Sequence, residues 1–364
     1  MTPKKLILVD ALLSFPLKLI ALIFVFLNSL RNRNSSTRVL VVKFLGAGNF
    51  IPISEIINHS NFDIVTVKAN QKTLQKFAEK ASTLLLDEKS FLTVLYSSVI
   101  LIFRLFGRNY TKVLNLESES TFAKFICSIP GANKRLGISN KHKSFFDSIF
   151  YSSYLVNANL ASKADVLRIL LDYSEIKNLE IDKLVSIHNN KFVKKYSKEC
   201  FSHVALAVTC SKTDNNRRVN AYLWSVILEA FEKNVSIKIL FDNEKDPQYK
   251  DFINLTKSMK NAEVVLTDYD NFVDLIKQSD LVISLDSQAL HVAQKFQRPT
   301  IAFYGPTSPY GVNFNESTYA VSKSLLCSPC VHKYHKLPCR GKSGCMNFEK
   351  EEIISLIGHL KSCK

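Results

Sequence analysis

From Arg38 onward, short β-branched runs alternate with longer amphipathic ones, and this alternation restricts the chain to parallel-sheet α/β architectures. Residues 39–44, 64–67, 83–86 and 112–116 read as strands, with helical stretches such as 71–80 and 91–106 between them. The pattern recurs with strands near 204–208, 236–240, 263–266, 281–285 and 300–303 and helices near 221–232, 252–259, 272–278 and 289–296. At 364 residues and 46% hydrophobic content the chain can bury two cores of ordinary size. Two α/β domains side by side are the expectation, with a boundary near residue 200. Residues 141–199 show weaker periodicity and are expected to hold the last helices of the first domain and the connection. No fixed-period repeat of solenoid length occurs.

Residues 5–30 stand apart: they are apolar but interrupted by Asp10, Pro16 and Lys18. The cleanest stretch, 19–30, would cover only ~18 Å as a helix, against ~30 Å of hydrocarbon in a bilayer. Lys4 and Lys5 precede the segment, and Arg31, Arg33 and Arg38 follow it. Such basic flanks suit a helix lying in an anionic membrane interface; a span with a snorkelling Lys18 and a soluble packing helix are the other two readings. The polar stretch 31–37 reads as a linker. The segment 1–34 is therefore expected to be a membrane-associating helix and linker, followed by domains at 38–199 and 200–364.

The formal charge of +16 favours polyanions, whether nucleic acid, anionic headgroups or phosphorylated small molecules, although much of it is scattered Lys that suits a solvated surface. No aromatic-basic interleaving or nucleic-acid module accompanies it, so nucleic acid is not an expected partner. Eight cysteines are present, and Cys327, Cys330, Cys339 and Cys345 cluster near the end. No small-x-small cleavage site follows the apolar segment, which points to a reducing, cytoplasmic compartment without structural disulfides. The spacing of the four clustered thiols is compatible with structural zinc or with reduced cysteines in a closing loop.

The strongest local signal is residues 279–309, SDLVISLDSQALHVAQKFQRPTIAFYGPTSP. A buried strand runs into Asp286 and Ser287, both good N-cap types, and a helix follows. At the carboxyl edge of an open α/β sheet, such a helix start presents N–H groups to a phosphate; an ordinary capped helix has the same local pattern.

Asp286, Ser287, His291, Gly305, Pro306 and Thr307 occur in the order in which glycosyltransferase family 9 carries its Asp-Ser/Thr-Gly segment, its His and its Gly-Pro-Thr. The chain resembles that family, the ADP-heptose:lipopolysaccharide heptosyltransferases, over roughly residues 38–360. The resemblance implies two Rossmann-like domains facing a cleft (the GT-B fold), here with an N-terminal apolar helix added. The first domain would be the acceptor side and the second the nucleotide-sugar-binding side. It also implies that the backbone of Ser287, Gln288 and Ala289 cradles the donor diphosphate, that Asp286 holds sugar hydroxyls, and that His291, Gly305 and Thr307 belong to the same pocket. Gln288 stands where the family usually has Gly.

KFLGAGNFIP, after the first strand, resembles the family's Gly-containing loop, with Gly46 and Gly48 allowing close backbone approach to a ligand. The family's candidate general base is an Asp at the position of Asn49. An amide cannot accept the proton, so another carboxylate, water-assisted transfer or impaired catalysis must account for the difference. Glu117 and Glu119 are the nearest replacements by position, and Glu117 is the one named here. GANKRLGIS, residues 131–139, resembles the segment that ends the family's first sheet. In AVTCSKTDNNRRVNAYLW, Arg217 takes the family's Lys position, and Arg217 or Lys212 would neutralise charge on the leaving diphosphate.

The resemblance implies inverting transfer of a sugar, heptose from ADP-heptose, to a lipopolysaccharide core or related glycolipid, with no cofactor and no catalytic metal. Peripheral or monotopic attachment at the cytoplasmic face of the inner membrane suits such an acceptor. The alternatives are a GT-B enzyme using another nucleotide sugar, or a catalytically impaired relative that binds donor or glycolipid only.

Overall fold

The structure is a computed structural model that describes residues 10, 12–30, 36–117, 120–139, 150–156, 166–167, 170–171, 181–197, 199–210, 215–309, 316–323, 325, 327–328, 330, 339 and 344–360. It divides into two compact units, residues 1–176 and 177–364.

The first unit is built on six parallel strands, β1 Val39–Val42, β2 Phe62–Val67, β3 Ser82–Leu86, β4 Asn109–Asn115, β5 Gly131–Ser139 and β6 Ser153–Val156. Their order is β3-β2-β1-β4-β5-β6. Buried on both faces, β1 is a continuous apolar run, as parallel strands require: Val39 and Val41 enter one core, Leu40 and Val42 the other. Helices of this unit among the described residues include α1 Ser14–Ser29, α2 Ser54–Ile57, α3 Gln71–Phe77, α4 Phe91–Leu105 and α5 Thr121–Ser128. Ser90 starts α4 with a capping box closed by Thr93.

The second unit repeats the plan. Its helix α6, Ile181–Tyr196, precedes β7 His203–Ala207, β8 Ser236–Phe241, β9 Ala262–Leu266, β10 Leu281–Leu285, β11 Thr300–Tyr304 and β12 Thr318–Ser322. These strands are parallel, in the order β12-β11-β10-β7-β8-β9. Between them lie α7 Ala221–Ala230, α8 Tyr249–Thr256, α9 Tyr269–Gln278 and α10 Gln288–Lys295, and α11 Lys350–His359 follows. Trp224 of α7 is wholly buried, its ring 5.9 Å from that of Phe303 and 6.2 Å from that of Phe252. It is an anchor of the core.

The structure moves two expected boundaries. The division falls after Ile176, because α6 packs on the second sheet. Asn189 exchanges side-chain hydrogen bonds with the backbone of Ala320 at 2.8 and 2.9 Å, and Phe192 and Tyr196 enter the second core. The helix expected within residues 1–34 is likewise not a separate element, since α1 packs onto α5 and buries Ala21 and Asn28. Asn28 Nδ2 donates to the carbonyls of Ser128, Ile129 and Pro130 at 3.0, 3.0 and 3.2 Å. Asp10 accepts the N–H groups of Thr121 and Phe122, the orphan donors at the start of α5. Among the described residues no helix is long and apolar enough to cross a membrane.

Both sheets reverse their winding direction between two strands, β1 and β4 in the first and β7 and β10 in the second. In open α/β sheets, ligands bind outside the carboxyl ends of the strands at such a reversal.

Candidate functional site

At the β1/β4 reversal, the loop after β1 meets the end of β4. Gly46 has φ +80°, and a Cβ there would sit 2.5 Å from Asn49 Nδ2, so this turn needs glycine at position 46. Asn49 is half-buried in the short 3₁₀ turn Ala47–Phe50 that contains Gly48, and its N–H donates to the Gly46 carbonyl at 2.9 Å. Glu117 Oε1 accepts from the N–H groups of Phe44 and Leu45, both at 2.8 Å, and lies 3.3 Å from Nζ of the buried Lys43. Asn70 Nδ2 fixes the same loop by donating to the Phe44 carbonyl at 2.8 Å. Glu117 and the Gly46–Asn49 loop are therefore brought together, with Glu117 clamping the loop through one oxygen. Glu119 lies outside the described residues.

At the β7/β10 reversal, Arg217 reaches Asp286. Its Nη1 donates to the Asp286 carbonyl at 3.0 Å and lies 3.5 Å from Oδ2. Arg217 is set there by its neighbour: Arg218 makes a buried two-pronged pair with Asp246, at 3.0 and 2.7 Å. Asn220 then caps α7 by accepting the Leu223 N–H at 2.8 Å. Val219 is buried in the second core. The tandem arginines thus divide into one buried structural ion pair and one group at the site. Lys212 lies outside the described residues.

Ser287 occupies the N-cap of α10 but makes no side-chain capping bond; its Oγ lies 3.3 Å from Ser284 Oγ. The first-turn N–H groups are left without a side-chain cap, as an anion site at a helix start requires. Gln288 donates from Nε2 to the Tyr269 hydroxyl at 3.1 Å, which ties α10 to α9 where the family usually has glycine. Ala289 and His291 are buried on the inner side of α10.

The end of β11 and the loop after it add two polar groups. Tyr304 Oη and Thr307 Oγ1 are buried and have no hydrogen-bond partner among the described residues. Burial and the nearby Asp286 carboxylate push the Tyr304 hydroxyl well above the ordinary tyrosine range, so it is a neutral donor. Buried hydroxyls are ordinarily hydrogen-bonded, so these two, Tyr304 near the Asp286 carboxylate and Thr307 three residues on, are candidate donors to ligand oxygens. Tyr304 was not among the residues singled out from the sequence; its position immediately before Gly305 is the signal that could have found it.

Gly305 has a packing role as well. A Cβ there would sit 2.9 Å from Cys345 Sγ and would collide with Met346. Ser328 Oγ donates to the Gly305 carbonyl, and the Cys330 N–H to that of Pro306 at 2.9 Å, so the cysteine-rich segment buttresses the Gly-Pro-Thr loop. Cys327, Cys330, Cys339 and Cys345 are free thiols, and among the described residues no three His, Cys, Asp or Glu side chains are arranged to hold a metal. Burial, with smaller contributions from the neighbouring cysteines, pushes the Cys345 thiol up to about 11.

The chain matches E. coli heptosyltransferase WaaC with ADP at TM-score 0.56 and 14% identity, covering 78% of this chain and 92% of that one. E. coli ADP-heptose LPS heptosyltransferase II matches at TM-score 0.58 and 11% identity, over 89% of this chain and 98% of that one. A glycosyl transferase family 9 protein from Veillonella parvula matches at 0.56 and 14%, over 78% and 85%. At these identities the likeness establishes the fold, GT-B. Comparison with curated protein sequences gives no match. Residues 100–340 match the sequence profile of glycosyltransferase family 9 (heptosyltransferase). The chain is a glycosyltransferase and belongs to family 9, the heptosyltransferase family.

Proposed function

We propose that this enzyme transfers heptose from ADP-heptose, with inversion, to a lipopolysaccharide core or related glycolipid at the cytoplasmic face of the inner membrane. The observation that carries the donor assignment is the cluster at the β7/β10 reversal: Arg217 on Asp286, the uncapped start of α10, and the orphaned hydroxyls of Tyr304 and Thr307. Together they offer one fixed cation, oriented N–H groups and two neutral donors to a diphosphate. Asp286 itself is partly neutralised by Arg217. Solved relatives hold ADP and ADP-2-deoxy-2-fluoro heptose, which supports an adenine-nucleotide donor here.

In the proposed step, an acceptor hydroxyl oxygen bonds to the anomeric carbon while the bond from that carbon to the diphosphate oxygen breaks. The electron pair leaves with the diphosphate, where Arg217 and the start of α10 stabilise the added charge. Lys212 would add a second cation. The hydroxyl proton must pass to a base, and Glu117, beside the Gly46–Asn49 loop, is the carboxylate proposed for that role. The engagement of Glu117 Oε1 by Lys43 and two backbone N–H groups, with Asn49 in place of a carboxylate, favours a second reading: a relative that binds donor but transfers slowly.

Incubation of the purified chain with ADP-heptose and a heptose-deficient core glycolipid tests both readings. A glycolipid heavier by one heptose supports transfer. Binding of ADP by calorimetry without any mass change supports the second reading, and absence of both overturns the donor assignment.

A further inference from the structure

Helices at a protein surface normally turn one apolar stripe inward and a polar stripe to water. Two helices of the first unit do otherwise. α1 buries Ala21 and Asn28 against α5, yet its opposite face, spaced three or four residues apart, is Leu12, Phe15, Leu19, Ile23, Phe26 and Leu30, all exposed. α4 buries Ser98, Leu101 and Leu105, and its outer face presents Leu92, Leu95, Tyr96, Val99 and Phe103, continued by Phe106. Leu92 and Phe103 keep 73% and 78% of their surface exposed, values expected of lysine or glutamate on a helix in water.

The two stripes belong to one surface. α1, α4 and α5 cover the same face of the first sheet, since Ala21, Leu101 and Ala123 share a core with Leu40 and Val42. Phe24 of α1 meets Phe106, just beyond α4, edge to face at 5.9 Å. Of the large apolar side chains exposed among the described residues, only Leu45, Tyr222, Leu266, Leu325 and Ile354 lie outside these two segments. Contiguous apolar exposure on this scale marks an interaction surface.

Charge selects the partner. No acidic residue occurs between Asp10 and Glu55, or between Glu88 and Glu117, whereas Lys18, Arg31 and Arg33 fall in the first interval and Lys89 and Arg104 in the second; Arg38 and Arg108 pair with the buried Asp63, and Lys112 turns to the opposite face, where it donates to the Leu171 carbonyl. A protein partner would be met by charges of both signs. Apolar stripes whose sequence surroundings are basic throughout match hydrocarbon beneath anionic headgroups. No described helix can span a bilayer, so the fit is in the plane of the interface.

We propose that the outer faces of α1 and α4 form a single lipid-docking platform that seats the first unit on an anionic bilayer. This deepens the membrane-surface part of the proposed function and rests on that part alone, not on the donor chemistry. α1 is then no detachable anchor: it is one half of a surface whose other half, α4, lies within the domain.

The test is flotation of the full chain with phosphatidylcholine vesicles, with and without phosphatidylglycerol, alongside the triple variant Leu92→Ser, Tyr96→Ser, Phe103→Ser and the single variant Arg104→Gln. The substituted side chains are exposed, so circular dichroism, melting temperature and ADP binding should match wild type. The wild-type chain is expected to float more strongly with phosphatidylglycerol vesicles than with neutral ones, and to be partly released from the anionic ones by salt. The triple variant should partition at least tenfold more weakly although α1 is intact, and Arg104→Gln should weaken binding to the anionic vesicles only. Flotation of the triple variant equal to wild type overturns the platform, leaving α1 as the sole contact. Wild-type chain that ignores vesicles but forms dimers dissolved by the triple substitution also overturns it and assigns the face to a second copy. Transfer to a detergent-dispersed acceptor is read separately, so failure of the enzyme reading leaves the vesicle result standing.

Discussion

Arg217 donates from Nη1 to the backbone carbonyl of Asp286 at 3.0 Å, and the same nitrogen lies 3.5 Å from the Asp286 carboxylate. One guanidinium thus ties the loop after β7 to the end of β10 at the point where the second sheet reverses direction. Arg217→Ala and Asp286→Ala should each lower transfer at least about tenfold, ~1.4 kcal/mol of transition-state stabilisation, with far-ultraviolet circular dichroism unchanged. Arg217→Lys should recover only part of the loss, because an ammonium keeps the charge but not the planar array of donors. Unchanged kinetics in both alanine variants would remove this pair from the site.

Glu117 can be tested as base and as clamp in one series. Glu117→Gln keeps an oxygen for the N–H groups of Phe44 and Leu45 but cannot take a proton, whereas Glu117→Ala loses both functions. If Glu117 is the base, Gln should cost about 10² to 10⁴ in turnover with ADP affinity nearly unchanged. Asn49→Asp should then be neutral or mildly activating. A fully active Glu117→Gln, an inactive Glu117→Ala and a hundredfold gain from Asn49→Asp would together show that Glu117 only holds the loop.

Gln297, after the end of α10, has φ 54°, the only non-glycine positive φ among the described residues. Its exposed side chain contributes no buried contact, and helices commonly end on glycine in this conformation. Gln297→Gly should stabilise the second unit by about 1 kcal/mol in chemical denaturation, the strain of an L-residue in the left-handed region less glycine's greater unfolded entropy. A destabilised variant would mean that the Gln297 side chain has a role its exposure does not reveal.

The Cys345 thiol, held up to about 11 against an ordinary value of 9.0, gives a pH signature. The folded state binds this proton more tightly than the unfolded state, so the associated stability is complete below pH 9 and is lost as pH rises from 9 toward 11. Thiolate is the reactive form, so alkylation of Cys345 should stay slow through pH 9 while the exposed Cys200 reacts. Mass mapping of iodoacetamide-labelled peptides checks the order. Early labelling of Cys345 would contradict its burial beside Gly305.

The strands that read clearly in the sequence are those buried on both faces, such as β1, β10 and β11, because a parallel sheet makes them uninterrupted apolar runs. β6 and β12 were not legible. Both are edge strands, β12 is the short run TYAVS, and an edge position relaxes the demand for such a run. A helix was expected within residues 141–199 but assigned to the first domain, because the segment of α6 is polar on average and carries only a few apolar residues, among them Phe192, to mark the second core as its partner. At the candidate site, Asp286 and Ser287 carry the local signature of a strand end running into a helix start, whereas Arg217 was singled out only through the family resemblance. The pairing of Arg218 with Asp246 was not legible, since two residues 28 apart show no local trace of their meeting.

The N-terminal helix supplies the last prediction, because its role changed most between sequence and structure. A segment that reads as a removable anchor should leave the domains intact when deleted. In the structure, however, Asn28 donates to the carbonyls of Ser128, Ile129 and Pro130, the last shared with Arg135, and Asp10 serves two N–H groups of α5. A buried polar group stripped of its partner costs about 1–3 kcal/mol. Removal of residues 1–30 should therefore destabilise the first unit by several such increments, in addition to the apolar surface of α5 that it uncovers. Asn28→Ala should lower stability by about 1–3 kcal/mol in urea melts, whereas Phe26→Ser, on the outer face, should change it by less than about 0.5 kcal/mol. Equal melts for the full and truncated chains would return α1 to the status of an appended anchor; the expected inequality makes it part of the domain that it covers.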